Sequence, residues 1–228
     1  MHKTVQNLIN IQNLIKSKLS DLKLLDRSPK IIAVSKTFKL EHITPLIEYG
    51  HIDFGENKVQ EAIEKWTEVK KVKSKLKIHL LGRLQTNKVK HAIKLFDFIH
   101  SLDSKKLAVK ISEEQKKQQV KPKIFIQINI GDESQKGGIK VNELKEFYKY
   151  CIGINLDIIG TMCLPPIGEK SEKYFLQMNF LNKKLNFEES SMGMSSDYLE
   201  AIKHNATYLR IGTSILEKEL FKIKFICI

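Results

Sequence analysis

Eight short apolar segments alternate with amphipathic stretches along this 228-residue sequence, and that alternation limits the fold more than any other feature. The segments 31–35, 52–54, 78–81, 98–101, 124–129, 156–162, 190–192 and 207–211 are rich in β-branched residues and read as strands. A helical stripe precedes them over 4–25 (Val5, Leu8, Ile15, Leu19, Leu22), broken at Gln12. Others follow each strand. One runs from Leu40 through Ile43 and Leu46 and stops at Gly50, a good residue just past a helix end. Another spans Thr86–Phe96, one is capped by Asp103 or Ser104, one by Ser171, and the last covers 214–221. Strands alternating with helices imply a parallel sheet. Eight of them in about 200 residues predict an α/β protein, a (β/α)8 barrel near its minimum size with an extra N-terminal helix. The eighth strand then pairs with the first and removes both sheet edges. An open doubly wound sheet is the alternative. No linker or low-complexity run interrupts the pattern, so residues 1–228 are expected to form one domain.

Composition removes several functional classes. No apolar run reaches the ~18–20 residues that span a bilayer, so no membrane partner is expected. Cys151, Cys163 and Cys227 form no CxxC pair, and an odd, sparse set suits a reducing cytoplasm. The seven histidines show no metal-ligand spacing, and none has a second ligand at i+3 or i+4, so no metal site is predicted. The formal charge of +13 raises nucleic acid as a partner. Yet 39 basic residues include only Arg27, Arg83 and Arg210 as arginines, and lysine lacks the bidentate fork used in base readout. The basic clusters at 70–77 and 116–123 carry almost no aromatic or glycine interleaving. A solvated lysine-rich surface explains them better than nucleic acid.

In a parallel barrel the residues just after each strand face one mouth. Here that ring holds Lys36, Gly55-Glu56-Asn57, Gly82, His100-Ser101, Asn129, Met162, Ser191–Ser195 and Gly212-Thr213. It contains one amine, several small or hydroxyl residues, and neither a carboxylate dyad nor a Ser-His-Asp set. Glycosidase and serine-hydrolase chemistry are therefore disfavoured. Lys36 leaves a buried strand, where an amine is costly unless solvated, paired or covalently used. It is either a Schiff-base lysine or an exposed lysine opening a loop.

Two further turns separate these readings. Ser191-Met192-Gly193-Met194-Ser195-Ser196-Asp197 ends strand seven, with Ser195 or Ser196 placed to cap the next helix. Arg210-Ile211-Gly212-Thr213-Ser214 ends strand eight. Free amides and hydroxyls at these adjacent turns suit a phosphate, the group that barrels commonly hold after strands seven and eight. A phosphate cradle facing a strand-end lysine suits pyridoxal phosphate. Arg210, two residues before Gly212, turns the same way by strand alternation and suits the pyridine nitrogen.

The same residues carry a family resemblance over nearly the whole chain: Ala33–Thr37, Phe54–Glu61, His79–Lys88, Gln127–Ile130, Gly160–Met162, Ser191–Asp197 and Arg210–Thr213. In these motifs the sequence resembles the YggS/PROSC family of pyridoxal phosphate homeostasis proteins. The resemblance implies a fold-type III barrel, like the N-terminal domain of alanine racemase, carrying pyridoxal 5′-phosphate as an internal aldimine on Lys36. It implies phosphate contacts near Ser191, Gly212 and Thr213, Arg210 at the pyridine nitrogen, and Asn57 lining the pocket that the strand-end residue Met162 also faces. Lys58 stands where the family usually has an aromatic, His204-Asn205 where it has a small residue and glycine, and Leu216-Glu217 where it has Phe-Gly. These departures fall outside the expected cofactor contacts.

Racemases of this fold type add a β domain that supplies a base on the other cofactor face. All 228 residues here are assigned to the barrel and its leading helix, and none of the six tyrosines is an obvious base. The expected function is thus a non-catalytic carrier or buffer of pyridoxal phosphate, a monomer or weak dimer serving pyridoxal phosphate-dependent apo-enzymes. A small racemase or lyase is the alternative, and a basic RNA-binding barrel a distant third.

Overall fold

A closed parallel barrel forms the centre of the computed structural model, which describes residues 1–216. Its strands are β1 (Lys30–Val34), β2 (Asp53–Glu56), β3 (Lys77–Leu80), β4 (Phe98–Leu102), β5 (Lys123–Ile128), β6 (Asp157–Cys163), β7 (Glu189–Met194) and β8 (Tyr208–Ile211), adjacent in that order. β8 closes on β1 in register from Lys30 opposite Tyr208 to Ala33 opposite Ile211, which leaves the barrel strands no free edge. The expected closed barrel holds, and the open sheet does not.

The α-helices among the described residues are α1 (Lys3–Asp21), α2 (Leu40–Glu48), α3 (Val59–Val72), α4 (Val89–Leu95), α5 (Lys105–Gln118), α6 (Leu144–Gly153), α7 (Glu172–Lys184), α8 (Tyr198–Lys203) and α9 (Thr213–Leu216). Strands buried on both faces read as continuous apolar runs, and Ile31, Ile32, Ala33 and Val34 are all buried. The outer core lies between strands and helices around Phe54, Trp66, Phe96 and Phe175. A smaller inner core of Ile32, Phe98, Phe125, Met162 and Tyr208 fills the barrel. The extra helix α1 buries Val5, Leu8, Ile11, Ile15 and Leu19. It packs on α2, α8 and α9, beside the seam where β8 meets β1. Each such aliphatic side chain contributes about 1.5–3 kcal/mol by leaving water.

Local signals succeeded where the chemistry was backbone-driven. Gly50 follows α2 with φ +98°, and the His51 N–H reaches back to Leu46 O at 2.9 Å, so the helix ends as expected. Ser104 caps α5 by accepting from Leu107 N. Elsewhere boundaries moved. α1 stops at Asp21 because Lys23 takes a left-handed φ of +56°. The 86–96 segment opens as a 3-10 turn over Thr86–Lys88 before α4. Ser171 occupies the cap position of α7, but its side chain makes no capping bond. β7 extends to Met194, beyond the 190–192 expected. Positions 217–221 of the helix expected over 214–221, which include Glu217, lie outside the described residues, as does Cys227. Among the described residues no helix is long and apolar enough to cross a membrane.

Candidate cofactor site

A cavity of about 450 Å³ opens at the C-terminal ends of the strands, lined by Val34, Lys36, Asn57, Leu81, Met162, Leu164, Met194, Ser195, Ser196, Arg210, Gly212 and Thr213. Six of the seven residues expected from sequence (Lys36, Asn57, Met162, Arg210, Gly212 and Thr213) therefore meet in one place. Two other cavities, of about 360 and 460 Å³, lie at the opposite barrel mouth around Arg27 and Pro29, and neither contains any of the seven.

Lys36 follows β1 in an exposed turn, and its amine has no hydrogen-bond or ion-pair partner among the described residues. The backbone on either side of it is clamped. Ser35 N donates to Gly55 O at 2.9 Å, and Ser35 Oγ donates to Glu56 Oε1 at 2.8 Å. Lys65 Nζ donates to Ser35 O at 2.8 Å and to Glu56 Oε1 at 2.9 Å. Trp66 Nε1 also donates to Glu56 Oε1, at 2.9 Å. On the far side Thr37 N donates to Glu61 Oε1 at 2.5 Å. Thr37 has φ +67°, an uncommon conformation for a β-branched residue that persists only where neighbours over-determine it. The clamp supplies that determination, so the amine stands on a fixed backbone.

Arg210 enters from β8 and is 5% exposed. Its Nη1 donates to Ser191 O at 2.5 Å and Ser191 Oγ at 2.7 Å, and its Nη2 to Cys163 O at 2.7 Å. Nε–H has no acceptor among the described residues, although the residue lines the cavity. Burial lowers the Arg210 pKa, partly offset by Cys163 and Asp197. Burial pushes the Cys163 thiol up to about 12, which leaves it neutral beside the arginine.

Ser191 departs from expectation. It is fully buried and absent from the cavity wall, with its hydroxyl shared between Arg210 and His100. The hydroxyls that reach the cavity belong to Ser195, Ser196 and Thr213. Neither serine caps a helix: Asp197 takes the cap position of α8, and its Oδ1 accepts from Met194 N at 2.7 Å. Ser195 Oγ instead accepts from Ser214 N at 3.5 Å, which joins the loops after β7 and β8. The backbone N–H groups of Ser195, Ser196 and Gly212 donate to no described residue. Asn57 is placed by a close approach, since a Cβ at Gly82 would lie 2.2 Å from Asn57 O.

Two histidines are buried in the barrel: His79 was given no role from sequence, and His100, expected at the mouth after the fourth strand, lies inside β4 and off the cavity wall. His79 and His100 lie on neighbouring strands, point into the barrel, and are hydrogen-bonded at 3.0 Å. Their signal was present: each interrupts an apolar strand where alternation turns the side chain inward. The statement that no histidine has an acidic partner at helical spacing also fails. His204 pairs with Glu200 at i,i+4, and with Glu172 they bring three ligand atoms within 4.8 Å of one another. Glu200 is also paired with Lys203 on this partly exposed surface.

The unpaired groups of the cavity suit pyridoxal phosphate. A free amine, an unpaired guanidinium N–H, three unpaired backbone N–H groups and three hydroxyls line one cavity with Leu81, Met162 and Leu164 between them. They match an aldehyde, a pyridine nitrogen, a phosphate and an apolar ring, and the residues fit the group.

Comparison with known proteins points to relatives of the same fold, among them a pyridoxal phosphate-bound one. Residues 12–217 match the family model "Alanine racemase, N-terminal domain". The pyridoxal phosphate homeostasis protein of Aquifex aeolicus is 38% identical over 194 residues, 81% of this chain and 84% of that protein. PipY of Synechococcus elongatus PCC7942, 31% identical, superposes with a TM-score of 0.78 without pyridoxal phosphate and 0.75 with it bound. In both cases the match covers 89% of this chain and 99% of that one. Alanine racemase of Clostridium difficile 630 shares the fold at 20% identity and a TM-score of 0.69, covering 93% of this chain and 56% of the racemase.

Proposed function

The chain belongs to the alanine racemase N-terminal-domain family and within it to the pyridoxal phosphate homeostasis proteins, and from that premise we propose that it binds pyridoxal 5′-phosphate on Lys36 and buffers or delivers it. The observation that carries the reading is the pairing, in one cavity, of a partnerless amine with a buried arginine whose Nε–H is unsatisfied. When bound, the cofactor supplies an aldehyde that condenses reversibly with a primary amine. Lys36 Nζ offers that amine from a clamped turn. Arg210 Nε–H would donate to the pyridine nitrogen; an arginine has no proton to yield there, so it would leave the nitrogen an acceptor and the ring a weak electron sink. Ser195, Ser196, Gly212 and Thr213 offer hydroxyls and backbone N–H groups to the phosphate. Leu81, Met162 and Leu164 would give the ring an apolar wall, with Asn57 at its border.

Holding the cofactor, rather than turning it over, is supported by what surrounds the amine. Lys36 and Arg210 supply the ionisable side chains of the cavity wall; no carboxylate, histidine, tyrosine or cysteine lines it among the described residues. Racemisation needs a second acid–base group within reach of the substrate proton. The open mouth and exposed Lys36 suit transfer to pyridoxal phosphate-dependent apo-enzymes. The free, unpaired cysteines Cys151 and Cys163 fit a reducing cytoplasm.

Borohydride reduction of cofactor-loaded protein, followed by peptide mass analysis, tests the attachment. The label is expected on Lys36 and absent from Lys36→Ala; label on another lysine overturns the assignment. Incubation with amino acids in deuterated water tests the carrier reading, which steady α-proton exchange would sink.

A further inference from the structure

Behind Arg210 a line of buried polar side chains crosses the barrel interior. Arg210 Nη1 lies 2.7 Å from Ser191 Oγ, and Ser191 Oγ lies 2.9 Å from His100 Nδ1. His100 Nε2 is 3.0 Å from His79 Nδ1, and His79 Nε2 is 3.0 Å from Asp53 Oδ1. Ser191, His100 and His79 have no exposed surface. Asp53 begins β2, so it sits at the opposite mouth of the barrel, with its side chain 14% exposed.

One placement of protons satisfies the whole line. A guanidinium can only donate, so Ser191 Oγ accepts from it and gives its own hydrogen to His100 Nδ1. His100 then carries its proton on Nε2 and donates to His79 Nδ1. His79 in turn carries its proton on Nε2 and donates to the Asp53 carboxylate. Starting from Asp53 gives the same result. All four bonds point from cation to anion, and both imidazoles are neutral. Burial lowers the pKa of both rings, reinforced at His100 by His79 and Arg210. The charged groups facing the pair are Arg210 at one end and Asp53, Asp97 and Lys30 at the other. A protonated His100 would turn an N–H onto Ser191 Oγ, strand the serine hydrogen and add a second cation beside Arg210.

We propose that His100 and His79 are positioning residues of the cofactor site, acting through Ser191 to fix the Arg210 guanidinium with its Nε–H toward the cavity. The inference rests on the cofactor reading above. Because the serine must donate to His100, its lone pairs stay turned to Arg210. Without His100 the hydroxyl rotates, and a hydrogen faces a cation. Asp53 anchors the far end of the line.

Two measurements test this. In protein without cofactor, nitrogen NMR of labelled histidines is expected to show His100 and His79 as neutral Nε2–H tautomers between about pH 6 and 8. A charged ring or an Nδ1–H tautomer overturns the inference, and no variant has to fold for that result. In cofactor-loaded protein, the pH midpoint of the lysine-linked absorbance reports the field at the ring. His100→Phe keeps a flat ring for the 4.3 Å stack on Phe125 and removes both nitrogens. It is expected to move the midpoint by about one pH unit. Ser191→Ala is expected to move it equally, with no further change in the double variant. His100→Asn, whose side-chain oxygen can replace Nδ1 as acceptor, is expected to restore most of the shift. An unmoved midpoint, or additive shifts, overturns the positioning role. An absorbance that survives Lys36→Ala overturns the cofactor reading instead.

Discussion

Lys65→Met tests whether the turn that carries Lys36 is held by a buried ion pair. Lys65 Nζ is 2.9 Å from Glu56 Oε1, with side-chain exposures of 7% and 0%. It also bonds Ser35 O at 2.8 Å and Glu61 Oε1 at 3.2 Å. Removing the ammonium leaves Glu56 with neutral donors only, Ser35 Oγ and Trp66 Nε1, on Oε1. Its Oε2 is already buried without a partner. An orphaned buried charge costs about 3–5 kcal/mol, a large share of the roughly 5–15 kcal/mol that holds a domain together. With a urea dependence of about 2 kcal/mol per molar, the unfolding midpoint falls by about 2 M. Glu56→Gln in the same chain removes the charge while its amide oxygen still accepts from Ser35 and Trp66. The double variant is therefore expected to recover to within about 1–2 kcal/mol of the parent. The assay is urea unfolding of cofactor-free protein by circular dichroism, on both single variants and the double. A loss below about 1 kcal/mol for Lys65→Met is the value of a surface pair, and it would refute the argument. So would a double variant no more stable than Lys65→Met.

Two further outcomes follow from the geometry. Burial lowers the pKa of His51, His79 and His100 in the folded protein. Below about pH 6.5 the unfolded chain therefore binds protons that the native state does not, and stability falls as pH drops, by up to about 1.4 kcal/mol per unit for each histidine. Thermal unfolding between about pH 5 and 8 checks this, and a flat melting temperature contradicts it. Gly82→Ala forces a Cβ to within 2.2 Å of Asn57 O unless the backbone moves. It is expected to cost about 1–3 kcal/mol and to weaken cofactor retention, measured by dialysis against cofactor-free buffer. Unchanged retention would mean that Asn57 does not help to define the cavity.

Much of the site was legible in sequence because strand ends in a parallel barrel converge by topology. Counting strands was enough to bring Lys36, Asn57, Met162, Gly212 and Thr213 to one mouth, and alternation along the eighth strand added Arg210, without any knowledge of side-chain contacts. Ser191 was misplaced for a reason that counting cannot reach. β7 continues to Met194 with a register shift against β8 between Ser191 and Met194, so Ser191 stays below the cavity and Ser195 and Ser196 take the rim. The same limit put His100 at the mouth and hid its bond to His79, since the two are 21 residues apart in sequence and meet only because β3 and β4 are neighbours.

The chain by itself determined the period of its elements, the closed barrel and the residues at its mouth, since these depend on alternation and local turn chemistry. The tertiary structure alone decided which hydroxyl faces the cavity, which carboxylate clamps the lysine turn, and how protons run through the barrel centre. Those depend on register, stagger and burial. A one-residue change in any of them exchanges an inward side chain for an outward one, and only the assembled barrel fixes that choice.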